Sequence, residues 1–113
     1  MAQAQRELNP GPGRADDGMK GLVDLFGRNP TLARVTMHVE QLLAGWREAL
    51  DPDSYGERLD ALREGLLDGI ALTEESAADI DPASKAETRQ AAAVVAAMRT
   101  AYQATEAAEL LPA

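Results

Sequence analysis

The stretch from Trp46 to Leu62, WREALDPDSYGERLDAL, decides how this chain folds. Apolar residues recur every three or four positions on both sides of its centre, which predicts one helix before Asp51-Pro52 and another after it. Aspartate is a favoured N-cap because its side-chain oxygen accepts a free N–H of the first helical turn. Proline is tolerated at the next position, where its missing N–H would have no helical partner. The connection is very short, so we expect the flanking helices to pack antiparallel.

The same kind of dipeptide marks two more boundaries, at Asn29-Pro30 and Asp81-Pro82. Since the residue before proline avoids the α region, each dipeptide should end one helix and cap the next. Thr73 is a candidate cap for a single turn between the third and fourth helices. The predicted helices therefore span about residues 17–27, 30–50, 52–72 and 82–110.

These helices predict an all-α fold, a small antiparallel three- to four-helix bundle over residues 16–113. No segment alternates with period two, so no sheet is expected. Residues 1–15 contain Pro10-Gly11-Pro12-Gly13 and no periodic pattern, which predicts a disordered N-terminal arm. The helical stripes predict a core made of Leu32, Val35, Val39, Leu42, Trp46, Leu59, Leu62, Leu66, Val95, Met98 and Tyr102.

Charge and composition limit the classes of function. The 113-residue chain has no cysteine and a net charge of −8, and residues 51–81 hold ten acidic but two basic residues. Such a chain lacks the basic footprint that nucleic acid requires, and its apolar runs are too short to span a membrane. The missing cysteines fit a reducing cytoplasm. Nine arginines to two lysines, in an alanine-rich chain, indicate a GC-rich bacterial genome. We therefore expect a bacterial, cytoplasmic protein with no nucleic acid or membrane partner.

The third predicted helix carries an acidic face. At about 100° per residue, its members lie within about 80° of arc, opposite the apolar stripe; they are Asp53, Glu57, Asp60, Glu64 and Asp68. Several are i,i+4 neighbours, a spacing at which like charges repel. A face that only keeps a protein soluble would usually interleave bases, so we interpret this one as a docking surface for a protein with a basic surface. The alternative is a solubilising face without a partner.

The last predicted helix has a face of small side chains opposite its apolar stripe, formed by Ala93, Ala97, Ala104 and Ala107. Small residues let another helix approach closely, which makes this face a candidate for self-association into a homo-oligomer. The alternative is that alanine occurs there because it is the best helix former on a surface.

No residue pattern predicts catalysis, a cofactor or a metal. His38 is the only histidine, and Val35 stands where a Glu-x-x-His pair of a metal-binding bundle would need its acid. There is no Gly-x-Ser-x-Gly elbow and no phosphate-cradling glycine loop. We therefore expect a protein that is not an enzyme and that holds no cofactor or metal.

Gly45-Trp46 lies near the middle of the chain, and Tyr102-Gln103-Ala104-Thr105-Glu106 lies near its end. These two stretches resemble short motifs of type VII secretion substrates. Members of that family carry a Trp-x-Gly turn between two long helices and a Tyr-x-x-x-Asp/Glu export signal near the C-terminus. Tyr102 and Glu106 match the second motif, whereas Gly45 precedes Trp46 and departs from the first. The resemblance implies a secreted helical protein. Without it, Trp46 is interpreted as a large core anchor near a helix end.

The acidic face gives the leading prediction of function, a non-enzymatic protein–protein interaction module acting as an adaptor, an accessory subunit or an inhibitor-type binder. A self-assembling structural protein, or one secreted like type VII substrates, is the first alternative. A subunit of an enzyme complex without its own active site is the second.

Overall fold

The computed structural model describes residues 20–110 of the chain, with side chains for residues 20–108. Four helices follow one another in this part: α1 over 20–26, α2 over Leu32–Ala49, α3 over Pro52–Ala77 and α4 over Lys85–Leu110. No strand occurs among residues 20–110, and the predicted all-α class is confirmed. The arm predicted at residues 1–15 and the predicted start of the first helix lie outside the described residues.

The boundary predicted at Asp51-Pro52 is confirmed. The Asp51 carboxylate accepts a hydrogen bond from the Ser54 backbone N–H at 3.1 Å, and Pro52 is the first residue of α3. Hydrogen bonding from the Ser54 side chain, followed by that from the Ser54 backbone, lowers the pKa of the Asp51 carboxyl. At the end of α2, the Leu50 N–H donates to the Trp46 carbonyl at 2.8 Å. Residues 50 and 51 alone connect the two helices, as the sequence predicts.

The boundary at Asn29-Pro30 is formed differently, and Asn29 was wrongly predicted as the N-cap of α2. Asn29 has a φ of 51°, in the left-handed region, whereas an N-cap needs extended angles. Asparagine tolerates this conformation better than most residues, which suits it to the turn after α1. The N-cap is Thr31, whose hydroxyl accepts a hydrogen bond from the Arg34 backbone N–H at 3.1 Å.

The end of α3 and the start of α4 also differ from the prediction. Helix α3 continues to Ala77, and the Thr73 hydroxyl donates to the Gly69 carbonyl within this helix at 2.7 Å rather than capping a new turn. Asp81 does not cap α4, which begins at Lys85. The Asp81 carboxylate instead accepts from the Ala83 backbone N–H at 2.9 Å, an Asx turn that competes with helix initiation.

Helix α4 is shared by its neighbours: it packs along both α2 and α3, while α2 and α3 contact each other far less. The face that α4 turns inward is made of small side chains, since Ala97, Ala101 and Ala104 are all buried. The distance between packed helix axes depends on the side chains at the contact, so alanine lets two neighbours approach the same helix closely.

The other helices contribute the large side chains of the core, which are Leu22, Leu25, Phe26, Val35, Val39, Leu43, Trp46, Leu59, Leu62 and Leu66. Leu32 is 50% exposed and Val95 lies outside this cluster, so both were wrongly predicted as core residues. Leu42, Met98 and Tyr102 are partly buried against the cluster. On α4 the inward face therefore lies about a third of a turn from the one predicted.

Two arginine–tyrosine contacts join neighbouring helices. Arg47 of α2 lies over the Tyr55 ring at 5.2 Å and donates to its hydroxyl at 3.2 Å, next to the α2–α3 connection. Arg63 of α3 lies over the Tyr102 ring at 5.9 Å, and its Nε donates to the hydroxyl of the fully buried Thr105 at 3.2 Å. The second contact fixes α3 against α4 through a polar group inside the core.

Candidate interaction site

The acidic face, formed by Asp53, Glu57, Asp60, Glu64 and Asp68, lies on the outer side of α3, and all five side chains are exposed. With about 1.5 Å of rise per residue, the face is about 22 Å long. Among the side chains that the structure describes, those of residues 20–108, none forms an ion pair or a hydrogen bond with any of the five carboxylates. Their charge is therefore directed at solvent.

The two arginines of α3 do not neutralise this face. Arg63 points towards α4, where it contacts Thr105 and Tyr102. Arg58 is half-buried, which places it towards the packed side of the helix. The five carboxylates thus form a stripe along α3 that neither of its bases enters.

An exposed leucine accompanies the acidic face. Leu67 lies seven residues after Asp60 and three after Glu64, so it is on the same side of α3, and it is 50% exposed. Leu72, further along α3, is 63% exposed. Sequence reasoning missed both side chains. The available signal was that neither falls on the three- and four-residue spacing of Leu59, Leu62, Leu66 and Ile70.

The predicted self-association face does not exist as one surface. Ala97 and Ala104 are buried in the core, which contradicts their assignment to an outer face. Ala93 is half-buried, and Ala107 is exposed in a shallow groove of about 360 Å³ between α2 and α4. The assignment was wrong because small side chains on a shared central helix mark the packed side rather than a free one.

A different alanine-rich surface lies between the distal halves of α3 and α4, around the connection between them. This α3–α4 groove has a volume of about 440 Å³, and its apolar wall is formed by Ala77, Ala91, Ala92, Val95 and Ala96. At one end Arg99 of α4 pairs with Glu74 of α3 at 2.7 Å, with both side chains about half exposed. No described side chain fills the groove.

His38 lies where α2 packs next to α1. It is half-buried, and a Cβ atom at Gly21 would lie 3.9 Å from its Cε1 and Nε2 atoms, so the ring is next to α1. It also lines a shallow surface pocket with Arg34 and Met37. Among the described side chains, no group of three or more His, Cys, Asp or Glu residues is arranged to hold a metal ion.

The residues that resemble type VII secretion motifs lie inside helices. Gly45 and Trp46 are within α2, and Trp46 is buried in the core, so they form no turn between helices. Tyr102 is partly buried under Arg63, while Glu106 is exposed four residues later on α4. Of the helices described, none is long and apolar enough to cross a membrane.

The chain was compared with protein-family models, curated proteins and solved structures, and it matches none of them.

Proposed function

We propose that the protein is a non-enzymatic protein–protein interaction module that binds a partner with a basic surface through the acidic face of α3. Such a surface suits an adaptor, an accessory subunit or an inhibitor. The accessory subunit could belong to an enzyme complex whose active site lies on another chain. A cytoplasmic setting is part of this proposal, and the cysteine-free sequence is compatible with it.

One observation carries the proposal: a half-exposed Leu67 stands beside carboxylates that have no cationic partner among the described residues. Protein interfaces typically combine an apolar anchor with a polar rim that surrounds it. The carboxylates supply the rim and Leu67 the anchor.

The charges define what the partner must offer. A row of carboxylates without counter-charges attracts lysine and arginine side chains over a distance of about 10 Å at moderate salt, so binding should be fast and sensitive to ionic strength. Leu67 requires a matching apolar pocket between those bases. A purely basic polymer therefore satisfies the charge but not the anchor.

The test begins with the full chain as bait for affinity purification from its native host at low ionic strength, with mass spectrometry of the eluate. The recovered partner is then purified, and its affinity is measured by titration calorimetry against wild type and variants. We expect Glu57→Lys/Asp60→Lys/Glu64→Lys to weaken binding strongly and to flatten its salt dependence. Leu67→Ala should weaken it by about 1–2 kcal/mol without flattening that dependence.

The matched control is Glu40→Lys/Glu48→Lys/Glu106→Lys, which reverses three exposed acids on α2 and α4 and changes the net charge equally. If this variant loses affinity as much as the α3 variant, the binding follows net charge and the acidic face is not a site. Unchanged affinity in the α3 variant also refutes the proposal.

A further inference from the structure

The α3–α4 groove is an apolar surface that the fold itself leaves uncovered. Helices α3 and α4 have 26 residues each, while α2 has 18 and packs beside the other end of the hairpin, where Leu43 and Ala44 face Ala104 and Ala107. The groove is lined by Ala77 at the end of α3 and by Ala91 and Val95 in the first half of α4.

The two chain segments that flank this groove have opposite net charge, and of their charged residues Glu74 and Arg99 line the groove itself. On the α3 side, residues 74–81 contain Glu74, Glu75, Asp79 and Asp81 and no base. On the α4 side, residues 85–99 contain Lys85, Arg89 and Arg99 against the single acid Glu87. The Glu74–Arg99 pair at 2.7 Å joins these two sides within one chain.

We propose that the α3–α4 groove docks the same groove of a second copy of this chain, giving a two-fold symmetric, antiparallel four-helix dimer. A two-fold axis parallel to the helices places α3 of one copy opposite α4 of the other, so the acidic side of each groove meets the basic side of its mate. Neighbouring helices then all run antiparallel, which is a stable arrangement for four-helix bundles.

The small residues alone would also allow α4 of one copy to pack on α4 of the other, but the charges disfavour that arrangement. Pairing α4 directly with α4 through Ala92 and Ala96 would bring Lys85, Arg89 and Arg99 against the same bases of the second copy, and like charges across an interface are unfavourable. The groove therefore accepts α3 of the second copy over its α4. This inference uses a different surface from the acidic face, and it stands or falls independently of the proposed partner.

The first experiment measures the mass of the full chain by sedimentation equilibrium over a wide concentration range. We expect the mass to rise from monomer to dimer with concentration, and the dimer to weaken as salt is added. Ala92→Glu/Ala96→Glu, which puts two carboxylates on exposed positions of the groove wall, should abolish the dimer while leaving the circular dichroism unchanged. Ala44→Glu/Ala107→Glu, in the groove between α2 and α4, is the matched control and should dimerise like wild type.

A charge exchange provides the second experiment. Glu74→Lys/Glu75→Lys/Asp79→Lys changes the charge of residues 74–81 from −4 to +2, so that both sides of the groove are basic. Lys85→Glu/Arg89→Glu changes the charge of residues 85–99 from +2 to −2, so that both sides are acidic. Each variant alone should dimerise about tenfold or more weakly than wild type. An equimolar mixture should form a heterodimer, because each contact then joins opposite charges. A wild type that stays monomeric at all concentrations overturns the proposal. So does a dimer that survives Ala92→Glu/Ala96→Glu, or a mixture that associates no better than its components.

Discussion

Replacing Ala101 by leucine tests whether α4 packs through its small-residue face. Ala101 is fully buried at the centre of that face, where α4 is flanked by α2 and α3. The sequence pattern alone placed the apolar face of α4 along Val95, Met98 and Tyr102, and by that pattern a larger apolar residue at position 101 would be tolerated. The two descriptions therefore predict different outcomes for the same substitution.

The expected cost follows from packing. Leucine puts an isobutyl group where a methyl group now fits, and overpacking a dense core costs about 1–3 kcal/mol. Helix propensity is not responsible, because leucine and alanine are both strong helix formers. For a domain of this size, about 1 kcal/mol corresponds to about 4–8 °C in Tm, so Tm should fall by about 4–24 °C.

The assay is thermal and urea unfolding followed by circular dichroism, at a protein concentration low enough to keep the chain monomeric. Ala86→Leu is the matched control, since Ala86 is an exposed alanine of the same helix, and its Tm should stay close to that of wild type. Equal stability of the two variants would refute the packing of α4 described above.

Three further substitutions test local features. Thr31→Ala removes the hydroxyl that caps α2 and should lower the free energy of unfolding by about 1 kcal/mol in urea titrations; no loss would show that the cap is not formed in solution. Thr105→Val keeps the shape of a fully buried side chain but removes the acceptor of the Arg63 Nε–H, so we expect a loss of about 1–2 kcal/mol, and a more stable variant contradicts this. Because the pKa of Asp51 lies below its ordinary value of 3.8, the ionised carboxylate stabilises the fold above that pH, and this stabilisation is lost as the pH falls through the folded pKa. Wild type should therefore exceed Asp51→Asn in Tm near neutral pH and lose that advantage in acid, whereas a pH-independent difference would show that Asp51 does not titrate in this way.

The start of a helix was predictable from sequence where the local residues could form only one hydrogen-bonded structure. Asp51 and Pro52 are followed directly by an apolar period, so capping α3 leaves no competing structure. At Asp81 the same two residue types have an alternative, because the carboxylate can bond to Ala83 and close a turn before the helix starts. At Asn29 the backbone is left-handed, which prevents this residue from capping α2, and a sequence pattern does not reveal the sign of φ.

The inward face of α4 was not predictable from apolar character. Ala97, Ala101 and Ala104 are less hydrophobic than Val95 and Met98, yet they are the buried ones, because α4 packs along both α2 and α3 and turns these alanines towards the space between them. Which alanines face that space depends on where two other helices lie, and this is a property of the tertiary arrangement. The acidic side chains of α3 could be assigned from spacing alone because no neighbour covers them, whereas the exposed Leu67 beside them could not.

The central position of α4 also has a consequence for biosynthesis. Ribosomes make α2 and α3 before α4, and these two helices have little contact with each other. In a nascent chain that ends before Lys85, α4 is missing, so Val35, Leu62 and their neighbours lack the surface on which they pack. Such a chain exposes its leucines to chaperones and proteases until the later helix emerges. Stalled or truncated translation products of this protein should accordingly be degraded rapidly, since they lack the segment that completes the core.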